Sequence, residues 1–122
     1  MPTTIVLFGG PTDERHASVA SAQHIVRTLG TGTLAWFWAP DGFIYDVGLH
    51  ELLAHQRPLE TDFLPTRPAI FPDLEQALDT LPVENPLFIL ALHGSGDDDG
   101  AVQEALERRG IPSRRAAAST GA

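Results

Sequence analysis

The sequence predicts a three-layer α/β domain with a mainly parallel sheet of four or five strands, and three observations carry that expectation. Short, unbroken apolar runs recur at Thr4 to Phe8, Leu34 to Ala39 and Leu87 to Leu92, as strands buried on both faces require. Segments with apolar residues three and four positions apart alternate with these runs, the spacing of helices that cover a sheet. The first and third runs lead into glycine-rich turns, Gly9-Gly10 and Gly94-Ser95-Gly96. Each therefore reads as a strand feeding a helix through a loop at its carboxyl end, where open α/β sheets bind ligands.

Taken in order, Thr4 to Phe8 is the first strand, stopped by Gly9-Gly10. Thr12 or Asp13 is placed to cap the following helix, and Glu14 falls in its first turn, where the helix dipole favours negative charge. Val19, Ala22, Ile25, Val26 and Leu29 form its apolar stripe, and Gly30 ends it. Leu34 to Ala39 completes a β-α-β unit. Pro40-Asp41-Gly42 is a turn, Phe43-Ile44-Tyr45 a brief edge strand, and Leu49 to His55 a short helix. From Gln56 to Pro72 the chain carries Pro58, Pro65, Pro68 and Pro72 without periodicity, so it reads as a long surface connection. Asp73 caps a helix with Leu74, Ala77, Leu78 and Leu81 on one face, ending at Pro82.

Leu87 to Leu92 is the third strong strand. Beyond the glycine-aspartate loop, Val102, Ala105 and Leu106 mark a helix, with Glu104 and Arg108 paired at four-residue spacing and Gly110 at its end. Ile111 and Pro112 begin one more short strand. Residues 113–122 contain no large apolar side chain, so the domain is expected to span 1–112, and 113–122 to be a frayed tail or a truncated junction. With 122 residues the chain makes one domain able to bury roughly two-thirds of its unfolded surface.

Composition removes several function classes. The net charge is -8, the wrong sign for a nucleic acid partner, whose phosphates demand an excess of Lys and Arg. The eight basic residues are all arginine, so there is no Schiff-base lysine and none to grip ATP phosphates in a Walker-type loop. The absence of cysteine excludes disulfides, thiolate metal sites and a thiol nucleophile. No apolar run approaches the length of a membrane span and no signal-type segment opens the sequence, so a cytoplasmic location without membrane contact is expected.

Among the motifs, Gly9-Gly10-Pro11-Thr12-Asp13-Glu14 lacks the glycine spacing of the dinucleotide fingerprint. Glu14 is either a carboxylate offered to a substrate ammonium or simply a favourable charge at a helix start. His93 directly follows a strand, where an imidazole can meet an anionic substrate or can bond neighbouring backbone. His16, His24, His50 and His55 read as helix-surface residues. Asp97-Asp98-Asp99 does not alternate ligands as a calcium loop does, and helix capping explains it more simply. Ser18, Ser21 and Ser95 have no nucleophile-elbow context.

The two loops together, VLFGGPTDERHAS and ALHGSGDDDGAVQEALERRGIP, resemble the hallmark loops of the D-alanine-D-alanine ligase family. Gly9, Gly10, Glu14, Arg15 and Ser18 match the first; His93, Gly94, Asp98, Asp99, Gly100, Gln103, Leu106, Glu107, Gly110, Ile111 and Pro112 match the second. The family's usual Glu-Asp pair is Asp98-Asp99 here, Asp97 stands where a small residue is usual, and Ser113-Arg114-Arg115 replaces the usual aromatic residue and Gly-Ser turn. The resemblance covers the first third of such a ligase. It implies a Rossmann-like (pre-ATP-grasp) fold in an enzyme that joins two D-alanines for peptidoglycan precursor synthesis. ATP phosphorylates the carboxylate of the first, and the amine of the second attacks.

It further implies that Glu14 is catalytic and faces the ammonium of the first D-alanine, and that Ser18, His93 and Gly94 line the substrate site. This chain is expected to bind no cofactor or metal, since ATP and magnesium fall to the parent's other domains. The expected partners are those domains and D-alanine, with self-association as a homodimer through the face the domains would cover. Alone, the chain is expected to be inactive. The alternatives are a stand-alone Rossmann-like binding or interaction module derived from a ligase, and the same domain of another amino-acid ligase.

Overall fold

The computed structural model describes residues 3–10, 14–81, 83–92 and 97–115, with the side chains of 97–99 excepted. The chain runs β1 (Thr3–Gly9), α1 (Arg15–Leu29), β2 (Leu34–Trp38), β3 (Ile44–Val47), α2 (Leu49–Ala54), α3 (Leu74–Thr80), β4 (Pro86–Leu90), α4 (Asp97–Arg108) and β5 (Ser113–Arg115). The five strands form one sheet in the order β3-β2-β1-β4-β5. All pairings are parallel except β2 with β3, so the sheet is the mainly parallel one that the apolar runs predict.

Those runs are continuous because both faces of the sheet are covered. Side chains alternate along β1: Ile5 and Leu7 join Trp36, Phe88 and Leu90 on one face, against Leu74, Ala77 and Leu78 of α3 and Val102, Ala105 and Leu106 of α4. Val6 and Phe8 point the other way, with Ala35 and Phe37, against Val19, Ala22 and Val26 of α1 and Leu52 of α2. The result is three layers. On the α3-α4 side, Arg109 ties the helices together, donating from Nε to Asp79 at 2.9 Å and from Nη2 to Glu75 at 2.6 Å.

Local signals act as expected at several joints. Gly30 caps α1 at φ 87°, its N–H reaching the Val26 carbonyl. Asp73 caps α3 through a 2.8 Å hydrogen bond from the Gln76 amide. The turn before β3 closes with Gly42 at φ 100° and its amide on the Ala39 carbonyl. The 56–72 connection has no helix or strand of its own, but Phe63 from its middle is buried in the core and Phe71 forms a bridge with Ile44.

Four expectations are corrected. Glu14 is the N-cap of α1 rather than part of its first turn, and it makes no side-chain capping hydrogen bond; Thr12 and Asp13 lie outside the described residues, as does Pro82, the expected end of α3. Arg108 pairs at 3.7 Å with Glu75 of α3, because a facing helix offers a carboxylate across the layer instead of the Glu104 expected along α4. Ile111 and Pro112 precede the last strand instead of beginning it. Ser113–Arg115, expected to fray, is β5 itself, in register with Phe88, Ile89 and Leu90. A sheet edge supplies main-chain partners whatever the side chains, so lack of apolar residues did not prevent pairing. The domain therefore reaches at least Arg115; 116–122 lie outside the described residues.

Candidate functional site

The strand order fixes where a site can form. From β1 the chain winds outward through β2 to β3, then returns to the other side of β1 to lay down β4 and β5. The reversal falls between β1 and β4, and open α/β sheets bind ligands outside the carboxyl ends of the strands at such a point. In register, Leu7 lies opposite Leu90, and the Ala91 amide bonds the Leu7 carbonyl at 2.9 Å. The loops after β1 and β4 thus leave the sheet side by side. A Cβ built on Gly10 would lie 3.9 Å from Leu92 Cδ2, so the two loop roots are within van der Waals reach.

Gly9 is required here for two reasons. Its φ is 106°, and a Cβ would stand 2.4 Å from the Trp38 carbonyl oxygen and 2.8 Å from Phe37 Cε1. Neither the conformation nor the space admits a side chain. The close approach is used at once, since the Gly10 amide donates to the Trp38 carbonyl at 2.7 Å.

Ser18 lies fully buried on α1. Its Oγ accepts a 2.7 Å hydrogen bond from the Gly9 amide and donates to the Ala91 carbonyl. One hydroxyl thereby joins α1 to the ends of both central strands. A hydroxyl sealed from solvent with its proton committed to backbone positions the roots of the two loops. Glu14 stands exposed at the start of α1, its carbonyl accepting from the Ser18 amide at 3.0 Å. His93 and Gly94 fall outside the described residues; Leu92, which precedes them, is half-buried beside the β1 loop.

A second feature lies on the α1 side of the same sheet end. Arg15, His16, Val19, Phe37, Pro40, Asp62, Phe63 and Leu64 line a hollow of about 80 Å³. At its rim, Asp62 Oδ1 receives Arg15 Nη2 at 3.1 Å and His16 Nε2 at 2.6 Å. The hydrogen bond from His16, aided by the charge and hydrogen bond of Arg15, holds the Asp62 carboxyl below the usual aspartate range. His16, expected on an open helix surface, is therefore engaged. His55 also has a partner, its ring edge-on to Phe63 at 5.4 Å, whereas His24 and His50 are exposed as expected.

Sequence reasoning did not single out Asp62. It sits in a stretch without periodicity, and the only local signal was an acid followed by an aromatic residue inside a proline-rich connection. Among the described residues no group of three or more His, Cys, Asp or Glu side chains is arranged to hold a metal ion. No described helix is long and apolar enough to cross a membrane.

Comparison with known proteins agrees with the motif resemblance. No family model matches the chain. A curated D-alanine-D-alanine ligase of Streptococcus mutans is 29% identical over 112 residues, which is 90% of this chain and 31% of that protein. Among solved structures, the D-alanine-D-alanine ligase of Coxiella burnetii superposes with a TM-score of 0.64 at 26% identity, over 93% of this chain and 35% of that one. The D-alanine-D-alanine ligase of Helicobacter pylori gives 0.62 at 21% identity, over 93% and 36%. The VanG D-Ala:D-Ser ligase of Enterococcus faecalis gives 0.56 at 21% identity, over 93% and 35%. The chain is thus similar in sequence and fold to the N-terminal domain of D-alanine-D-alanine ligases, and spans about a third of the length of these relatives.

Proposed function

We propose that the chain serves as the N-terminal, substrate-side domain of a cytoplasmic D-alanine-D-alanine ligase acting in peptidoglycan precursor synthesis, and forms one wall of the D-alanine site. The observation that carries this reading is the juncture at Ser18, where the roots of the two motif loops are fastened together at the switch point. In this reading Glu14 meets the ammonium of the first D-alanine, and His93 with Gly94 lines the same crevice from the β4 side. The chemistry asked of these groups is placement: a carboxylate fixed against an ammonium orients the amino acid and holds its reacting carboxylate outward, where correct geometry lowers a barrier by several kcal/mol, on the order of 7 or more at best.

In this reading ATP and magnesium are held by other parts of the ligase. This chain contains no lysine, and no metal-holding group occurs among the described residues. The other parts are the proposed partners along with D-alanine; a homodimer through the face those parts cover is the proposed form of any self-association. A nucleic acid or membrane partner has no support from a chain of net charge -8.

Titration of the isotope-labelled chain with D-alanine, L-alanine and D-serine tests the reading. Amide signals of Glu14 and of the loop after β4 are expected to move with D-alanine and not with its mirror image. Equal response to both enantiomers, or movement confined to other surfaces, overturns it. A second reading is the same domain of a ligase using another amino acid. A stronger response to D-serine selects it.

A further inference from the structure

The first turn of α1 lacks the acidic residue that a helix start favours, and its N-cap Glu14 makes no side-chain capping bond. A second carboxylate reaches this end of the helix from elsewhere in the fold. Asp62, 46 positions beyond His16, accepts hydrogen bonds from His16 and from Arg15, the two residues that follow Glu14. Its negative charge is brought to the positive end of the helix through the side chains of that end.

The backbone on either side of Asp62 is anchored. The adjoining Phe63 is only 5% exposed, and its ring lies 5.3 Å from that of Phe37 and 6.1 Å from that of Phe8. Those two residues sit at the carboxyl ends of β2 and β1, so Phe63 fixes the connection to the sheet while Asp62 fixes it to the helix. Flanking bonds steady both: Thr61 Oγ1 donates to the Arg57 carbonyl at 3.0 Å, and the Thr66 amide and hydroxyl donate to Glu51 Oε2 at 3.0 and 2.9 Å. A surface ion pair on two free side chains contributes little. Here the backbone of one partner is set by the buried ring of its neighbour Phe63 and that of the other by a helix, so the two side chains start from fixed positions within reach of each other.

We propose that Asp62 is a positioning residue for the first turn of α1 and, through Arg15 and His16, for Glu14. The consequence for substrate rests on the reading of Glu14 given above; the positioning itself does not. The chain spans 56–72 without regular structure, yet on this account that stretch is the brace that aims one wall of the crevice.

The test uses the 122-residue chain with Asp62→Asn, Asp62→Ala and Asp62→Glu, read by residue-resolved amide hydrogen exchange. In the Asn and Ala variants the Ser18 and Val19 amides are expected to exchange at least tenfold faster, while amides of β1 and α4 stay within twofold. Asp62→Glu recovers at least half of the logarithmic change. Unaltered exchange at Ser18 and Val19 overturns the proposal, and so does an equal acceleration throughout the molecule, which marks a mere loss of stability. Adding D-alanine separates the two readings: a wild-type chain whose Glu14 signal ignores D-alanine counts against the substrate assignment, while the exchange result still decides the role of Asp62.

Discussion

The hydroxyl of Ser18 lies 2.7 Å from the amide nitrogen of Gly9, across nine residues of chain, and its proton goes to the Ala91 carbonyl. Removing it in Ser18→Ala leaves a buried donor and a buried acceptor without this partner. The expected loss is about 1–3 kcal/mol in urea unfolding, with faster exchange at the Gly9 amide. A variant as stable as the parent would show that solvent or a local shift replaces the hydroxyl.

Gly9 and Gly30 both have positive φ, at 106° and 87°, but only Gly9 is crowded: a Cβ there would meet the Trp38 carbonyl at 2.4 Å, whereas one at Gly30 would find nothing within 4 Å. Gly30→Ala should therefore cost about 1–3 kcal/mol from backbone conformation alone, since φ 87° with ψ -165° is a region that only glycine adopts readily. Gly9→Ala must add displacement of β2 backbone and should exceed that, or prevent folding. Equal midpoints in chemical denaturation would contradict the contact.

Asp73→Ala should lower stability by about 1 kcal/mol, because the Gln76 amide loses its cap, whereas Asp73→Asn keeps an acceptor and should cost less. The comparison is read from unfolding midpoints of the two variants. Loss of equal size in both would mean that charge, not the cap geometry, carries the effect.

Asp62 supplies a pH dependence of known sign. Its carboxyl is held below the usual range by His16 and Arg15, so the folded state favours the ionised form more than the unfolded state does. The stabilisation is complete above the unfolded value, ~3.9 for aspartate, and is lost as pH falls through the lower folded value. Wild type and Asp62→Asn should differ in thermal midpoint near pH 6 and converge at lower pH as Asp62 protonates. Arg15 and His16 of α1 face this carboxylate, and a difference that grew on acidification would assign the effect to another group.

The purified chain with ATP, magnesium and D-alanine should form no D-alanyl-D-alanine, since the proposal assigns ATP to other parts of the ligase. In the complete ligase that the proposal implies, Glu14→Gln should reduce turnover more than tenfold, about 1.4 kcal/mol or more of barrier. Dipeptide made by the isolated chain, or unchanged kinetics in the Gln variant, would remove these assignments.

Much of the fold was legible because its signals are local. The run from Thr4 to Phe8 needs no partner to announce a strand covered on both faces, and Val19, Ala22 and Val26 announce the side of α1 that faces it. Asp73 and Gly30 marked helix ends by chemistry within a turn of themselves. Ser113–Arg115 was misread because a short parallel edge strand is held by main-chain bonds to β4, which leave no pattern in side chains.

The sequence by itself determined the three-layer sheet and the glycine turn at the end of β1, since periodicity and backbone freedom are properties of a few consecutive residues. Tertiary structure alone decided that Ser18 is a buried fastening and that Asp62 braces α1. Those roles arise from partners 73 and 46 positions away, and only the packing of the sheet, which sets what lies within hydrogen-bond reach, could select them.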